Sequence, residues 1–471
     1  MIKKNNYALG LAWMVALFIL PFPFIYTFVT GMPAGYGDMK IGIALGIVAY
    51  VWMLLAIYIG TKPKWLDRLI GLPAAYMIHG ILSLVAIYFS FMHKNLLPSY
   101  GLIQQTGNLA FLIFLSLAIY SIVFMAGWLT SRIRFLANLK RKLETTFKHE
   151  VSVWLHRLNL LATVLIFVHV QLIDYIRANT SFMAVFYLAS GFVFLSYLWA
   201  KFKPNAKGYT AKLMGNREIA DNIRELQIQL PKGKAAKMRA GDFVFISFPG
   251  VKGLAEPHPF SLVNAPDQDD QITLAIRGDG DFTRKLQTVS APARVRVDGG
   301  YGMFQTVVED QQPKNIIMIS GGIGITPLLS LIDQFPEIDT TVFHGATTEA
   351  ALIYEEKFNS WEVERDNFRA VRKIGAFEEA EVLSALPHDF DDLTVLVSGP
   401  PVMARYWIKT LAKNGVPKTQ IFYEEFGWKY SLKIKIIRCQ LALMSEKLLW
   451  SFLACCLEIR KQQSSIFGFV S

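Results

Sequence analysis

The chain has 471 residues, 53% of them hydrophobic and 18% charged, with a formal net charge of +11. That balance is too apolar for a wholly soluble protein of this length and points to membrane spans joined to a soluble part. The three cysteines, Cys439, Cys455 and Cys456, lie near the C-terminus, so no cysteine cluster for zinc or an iron–sulfur centre and no disulfide framework is expected.

A spanning helix needs about 20 apolar residues. Six segments qualify, at 8–30, 41–60, 72–92, 107–128, 152–173 and 181–200. Pro21 and Pro23 interrupt the first, as a kinked membrane helix tolerates. No small-residue cleavage site follows a short apolar region, so a cleaved signal peptide is not expected. Basic residues fall on alternate loops. Lys3 and Lys4 open the chain; Lys62, Lys64 and Arg68 follow the second span. Arg132, Arg134, Lys140, Arg141, Lys142 and Lys148 follow the fourth, and Lys201, Lys203 and Lys207 the sixth. The opposite loops hold only Lys40, Lys94 and Arg177. The positive-inside rule then puts the N-terminus and everything after residue 200 in the cytoplasm of a multi-pass cell-membrane protein. This accounts for most of the net charge. Nucleic-acid binding is the poorer reading, because no basic run is interleaved with aromatics outside the membrane region.

Four histidines stand in these apolar segments. His79 and His93 are fourteen residues apart; His156 and His169 are thirteen apart. On a helix these spacings rise about 21 and 20 Å, so the four fall at two matched depths, His79 with His156 and His93 with His169. Two imidazoles at each depth suit axial ligation of two stacked haems. Fourteen residues return within about 40° of one helix face, whereas thirteen miss by about 140°. The second histidine helix must therefore tilt or hold a local irregularity. A proton relay in a transporter is the alternative, though the spans hold almost no Asp or Glu partners. His149 lies in the basic loop, where a solvated role fits better than ligation.

After residues 201–212, "KFKPNAKGYTAK", apolar runs shrink to strand length. "RELQIQL", "DFVFISF" and "QITLAIR" predict a small antiparallel β-barrel over 210–310. From 313 to 428 strands alternate with helices, as in a parallel, doubly wound α/β sheet. In "NIIMISGGIGITPLLSLI" a hydrophobic strand runs into Gly321, Gly322 and Gly324, and then Thr326 and Pro327 open a helix. Glycines there permit close backbone approach, proline suits the first helical turn, and the helix N-terminus suits a pyrophosphate.

Further motifs carry a resemblance. "EPHPFSLVNAP" resembles the flavin-binding strand of the ferredoxin-reductase superfamily, "IRGDGDFTRKL" its GxxT turn, and "VDGGYGMF" its DGPYG turn with Gly300 where proline is usual. "VLVSGPPVM" resembles its CGPPxM strand end, with Ser398 in place of cysteine, and "YEEFGW" its terminal aromatic segment. With the paired histidines, over residues 40–428, the chain resembles the ferric reductase/NADPH oxidase family. The resemblance implies a six-helix transmembrane haem domain over 1–200, an FAD barrel over 210–310 and an NAD(P)-binding domain over 313–428. It implies FAD held by His258, Pro259, Phe260 and Ser261 and by Arg277, Gly280 and Thr283. NAD(P)H would dock at Gly321, Gly322, Gly324, Thr326, Pro327, Gly399 and Pro400. Ser398 would stand near the hydride path, and Phe426 would stack on the flavin. His79, His93, His156 and His169 would ligate two b-type haems. Residues 429–471 continue past the family's usual end. Their apolar stretch is broken by Glu446 and Lys447, so a seventh span is not expected.

The function so implied carries electrons from cytoplasmic NAD(P)H through FAD and two haems to an outside acceptor, a ferric chelate in the first reading and O2 in the second. A membrane module serving a protein partner or quinone, and a non-enzymatic six-span transporter with a nucleotide-binding domain, are the readings of other classes. The second strand of the nucleotide domain is followed by Thr347 and Thr348, with no arginine before Arg365, which leaves NADH against NADPH open, as it does the oligomeric state.

Overall fold

The computed structural model describes residues 5–124, 155–203, 206, 208–266 and 269–424. Phe426, the tail 429–471, His149 and the basic residues from Arg132 to Lys148 lie outside them. The chain forms two compact units. One holds Trp13–Gly60 and Ile78–Tyr197; the other holds Met1–Ala12, Thr61–Met77 and Leu198–Gly427. The segment Thr61–Met77 thus groups with Leu198–Gly427.

Five apolar helical stretches among the described residues are long enough to cross a membrane: Ala8–Gly31, Gly35–Gly60, Leu72–Leu96, Gly101–Ser121 and Thr180–Phe202. The fifth expected span is seen only as a shorter helix, Leu158–Gln171. We number the helices α1 (Asn5–Met14), α2 (Phe22–Gly31), α3 (Lys40–Gly60), α4 (Lys64–Ile70), α5 (Leu72–Leu96), α6 (Gly101–Phe124), α7 (Leu158–Gln171), α8 (Asp174–Arg177) and α9 (Thr180–Phe202). The proline interruption of the first stretch appears as a π turn over Val15–Ile19, closed by Leu20 N–H on Val15 O at 2.9 Å. Such a turn absorbs the donor that Pro21 lacks. The helix α3 is buried along most of its length. Its polar groups are paired inside: Trp52 Nε1 donates to Ala16 O (2.9 Å), and Tyr50 and Ser190 share a hydroxyl bond of 2.9 Å. By contrast α9 exposes Leu188, Phe192, Leu195 and Trp199 at helical spacing, and α6 exposes Leu102, Leu109 and Leu112. Apolar stripes facing outward suit a hydrocarbon surround.

The other unit is built on two sheets. Six antiparallel strands, β1 (Tyr209–Ala220), β2 (Ile223–Gln229), β3 (Phe243–Ser247), β4 (His258–Ser261), β5 (Gln271–Arg277) and β6 (Ala293–Tyr301), run in the order β4-β3-β6-β1-β2-β5. The outer strands β4 and β5 approach at one bridge, Leu262–Leu274. Alternating residues such as Leu213, Leu226, Val244, Ile246, Leu274 and Val297 fill the inside. Five parallel strands, β7 (Asn315–Gly321), β8 (Asp339–Ala346), β9 (Phe368–Ile374), β10 (Leu393–Ser398) and β11 (Ile421–Glu424), run in the order β11-β10-β7-β8-β9. The direction of winding reverses between β7 and β10, which makes their carboxyl ends the topological switch point. The two sheets share one core: Ile223, Val263 and Ala275 pack with Ile325, Leu328 and Phe358.

Between the first sheet and the segment Thr61–Met77, an apolar cluster of Leu72, Tyr76, Phe245 and Tyr301 is joined by polar contacts. Arg68 takes both oxygens of Asp242 (2.5 and 2.7 Å) and also donates to Gly302 O (2.7 Å) and Gly300 O (3.1 Å). Lys64 donates to Gly299 O at 2.6 Å, and the Lys62 ammonium lies 3.9 Å from the centre of the Phe245 ring. A side chain at Gly300 would collide with Asp242 Oδ2. Gly300, having no side chain, thus leaves room for the carboxylate that Arg68 binds. The Asp242 side chain is 2% exposed, so Arg68→Ala strands a buried charge. We expect a loss of ~2–4 kcal/mol for that variant, partly recovered in Arg68→Lys, which keeps the charge but not the fork. The thermal unfolding midpoint of the purified full-length protein checks this.

Candidate functional site

At the switch point two turns interlock. The strand β7 ends at Gly321, and Gly322 takes φ +55°, a conformation glycine adopts without strain. A Cβ at Gly324 would lie 2.6 Å from Ser398 O, and one at Gly321 would lie 2.8 Å from Met403 Sδ. Gly399, with φ +144°, passes beside Gly321 in the same way. Only Cβ-less backbone fits where these turns cross. The helix Thr326–Gln334 starts here with Pro327 in its first turn, and Thr326 Oγ1 donates to Ile323 O at 3.0 Å. Across the crossing, Pro400 precedes the helix Pro401–Lys413. Two helix starts beside glycine turns suit a dinucleotide's phosphates. Ser398 itself is fully buried, and its hydroxyl donates to Gly324 O. In this geometry it braces the two turns against each other rather than facing the site, which makes it a positioning residue.

The strand β4 carries His258, Pro259, Phe260 and Ser261 at the sheet edge, paired only with β3. Pro259 costs no ladder bond there. The His258 imidazole stacks on Phe282 at 4.0 Å, and Phe260 lies 6.1 Å from the same ring. Phe282 belongs to the short helix Asp281–Leu286, which brings the GDFT turn against β4. Thr283 Oγ1 accepts from Gly280 N–H (2.8 Å), so this pair forms its own cap. Arg277 is salt-bridged to Asp279 at 2.6 Å. A Cβ on Gly322 would stand 3.7 Å from Arg277 Nη1, so the end of β5 and the glycine turn of β7 are neighbours. The two sets of motif residues, far apart in sequence, therefore line one region.

The four membrane-segment histidines form two pairs. Ring centres are 5.9 Å apart for His79 and His156 and 6.3 Å apart for His93 and His169. Depths match as the spacing requires. The thirteen-residue mismatch is taken up at Arg157, where a turn separates the helical residues Leu155 and His156 from α7. Three imidazoles bond a backbone carbonyl of a neighbouring helix through Nδ1: His79 to Ala56 O (2.9 Å), His93 to Gly42 O (2.8 Å) and His169 to Ile103 O (2.9 Å). A carbonyl only accepts, so Nδ1 carries the hydrogen and Nε2 the lone pair, the arrangement of a metal-binding imidazole. His156 Nδ1 lies 3.3 Å from Ser121 Oγ and 3.4 Å from Asn159 Nδ2. A metal–imidazole bond is about 2 Å and a ring nitrogen lies about 1.1 Å from its ring centre, so two rings sharing one iron stand about 6.3 Å apart. The observed separations fit that span. Two residues the sequence reading missed complete the cradle. A Cβ at Gly46 would come 2.5 Å from His93 Nδ1, and one at Gly107 would come 3.2 Å from His169 Cε1. The readable signal was a glycine four residues beyond Gly42 inside an apolar helix.

Comparison with known proteins bears on the two-sheet unit. Residues 214–404 match a family described as an FAD-binding domain. The terephthalate 1,2-dioxygenase reductase component 1 of Comamonas sp. is 27% identical over 174 residues, 36% of this chain and 50% of that protein. The phenol 2-monooxygenase reductase component DmpP of Pseudomonas sp. strain CF600 is 28% identical over 231 residues, 44% of this chain and 63% of that protein. The chain thus spans half to under two thirds of the length of these relatives. Among solved structures, the Amycolatopsis cytochrome P450 reductase GcoB aligns with a TM-score of 0.40 at 22% identity, covering 46% of this chain and 69% of that one. Residues 214–404 therefore hold an FAD-binding domain. The helices before residue 214 fall outside the family match.

Replacing Ser398 by alanine removes the donor to the Gly324 carbonyl inside the core. The expected cost is ~1–3 kcal/mol, with flavin content unchanged. A lowered unfolding midpoint at constant flavin absorbance checks both halves of the statement.

Proposed function

We propose that this chain is an NAD(P)H-dependent flavin oxidoreductase of the cell membrane that passes electrons through two b-type haems to an extracytoplasmic acceptor, a ferric chelate in the first reading. The observation that carries the haem assignment is the pair of imidazole separations, 5.9 and 6.3 Å, at two depths of one helix group. The apolar outward stripes of α6 and α9 support a lipid surround, and the basic residues at 3–4, 62–68 and 201–207 support a cytoplasmic two-sheet unit.

When bound, the flavin turns a hydride donor into single electrons, and haem iron carries these one at a time. The rest is done by side chains and backbone. Gly321, Gly322, Gly324, Gly399 and Pro400 admit the dinucleotide's phosphates to the switch point, with Thr326 and Pro327 opening the helix behind them. Ser398 keeps the two turns in register. His258, Pro259, Phe260 and Ser261 present the flavin edge to β4, while Gly280 and Thr283 hold the turn that faces its diphosphate. Arg277 would exchange Asp279 for phosphate, a trade between two exposed anions. Phe426 would cover the ring. His79 with His156, and His93 with His169, would hold the two haems, which would supply single-electron transfer.

A second reading has a specific observation in its favour. The relatives named above are reductase components, and a component hands its electrons to a partner protein. In that case the outer acceptor is a macromolecule rather than a chelate.

His93→Ala should remove roughly half of the haem per chain while NAD(P)H-driven reduction of ferricyanide by the flavin persists. Gly46→Ala, which displaces the same ring without removing it, should weaken the same half. Haem content by absorbance, measured beside flavin content, decides the matter; full haem retention in His93→Ala would contradict the assignment.

A further inference from the structure

Three carboxylates of the two-sheet unit converge on one guanidinium. Arg68 is bidentate to Asp242. Asp67, beside it, accepts Leu72 N–H (2.8 Å) and Gly302 N–H (3.2 Å). Glu424, the last residue of β11, accepts Met303 N–H through Oε1 at 2.5 Å, while its Oε2 is buried without a hydrogen-bond partner. Gly302, at φ +136°, lies between two of them. A Cβ there would stand 3.3 Å from Asp242 Oδ1 and 3.4 Å from Glu424 Oε1. The charged groups facing Glu424 are Asp67 and Arg68 from the segment between α3 and α5, and Asp242 from the turn before β3. The next cation, Lys64, donates to Gly299 O and bears on Asp242, whereas the charges bearing on Glu424 are those of Arg68, Asp67 and Asp242. One guanidinium cannot neutralise three carboxylates, and the third has the fewest hydrogen bonds to its oxygens.

We propose that a proton on Glu424 closes this joint, tying the segment Asp67–Arg68, the turn 299–303 and the end of β11 together, and that loss of the proton loosens it. Burial, reinforced by Asp67 and Asp242, pushes Glu424 up to about 8 from 4.5. Burial likewise pushes Asp67 up to about 6 from 3.8. Both groups hold their protons more tightly in the closed joint than in an open one. Closure is therefore favoured at low pH and weakens as pH rises, through Asp67 up to about 6 and through Glu424 up to about 8, and then levels off. The geometry involves neither histidine pair, so the inference stands or falls apart from the haem reading.

The test is hydrogen–deuterium exchange of the full-length protein from pH 6 to 9, corrected for intrinsic exchange, in wild type and Glu424→Gln. The glutamine keeps the acceptor for Met303 N–H. In wild type, protection over 299–304 and 64–72 should fall by up to about tenfold per pH unit between 6 and 8 and flatten above. In Glu424→Gln it should stay level over that range, and protection over 315–321 should not change in either protein. Flat wild-type protection over 299–304 overturns the proposal without recourse to any variant, and so does a variant that follows the wild-type slope.

Discussion

The account depends on a modest interaction: an imidazole Nδ1–H donated to a helix carbonyl. In an α-helix interior the carbonyls are already bonded, and His79, His93 and His169 add a second donor at Ala56, Gly42 and Ile103. Each bond settles the tautomer and the ring plane together. What is left on Nε2 is a lone pair held in a fixed direction. At two of the three, Gly46 and Gly107 let the rings of His93 and His169 lie close against α3 and α6. Preorganised ligands of this kind bind with little loss of side-chain freedom.

The soluble unit shows the same economy in another chemistry. Its switch point is a crossing of two glycine turns that only backbone can occupy, braced by one buried hydroxyl. The two sheets do not hinge freely, because they share a core and several cross-bonds. Tyr354 donates to Glu225 (2.8 Å), and Ser330 donates to Asn264 O (2.8 Å) while accepting Gly241 N–H (3.1 Å). These bonds tie the β4–β5 side of the first sheet to the β7–β8 side of the second.

Much of this was legible in the sequence for a local reason. Apolar length marked the long helices, the Pro21 interruption marked the irregular turn, and "SGGIGITP" marked a strand, a glycine turn and a helix whose order in the chain is also their order in space. The histidine depths followed from a rise per residue. The mismatch of phase predicted an irregularity without saying where; a turn at Arg157 directly follows His156. What stayed hidden is non-local. Arg68 and Asp242 are 174 positions apart, and nothing in "TKPKWLDR" separates a docking arginine from one that only marks the cytoplasmic side. Ser398 was expected near the reacting groups because of its place in a motif. Its burial and its bond to Gly324 are properties of the strand crossing, which no linear pattern encodes.

The most direct measurement is the low-temperature electron paramagnetic resonance spectrum of the oxidised, full-length protein purified with its haem. The account predicts low-spin ferric signals of bis-imidazole type from both depths. A high-spin ferric spectrum, or a protein that takes up flavin but no haem when haem is supplied, would contradict it.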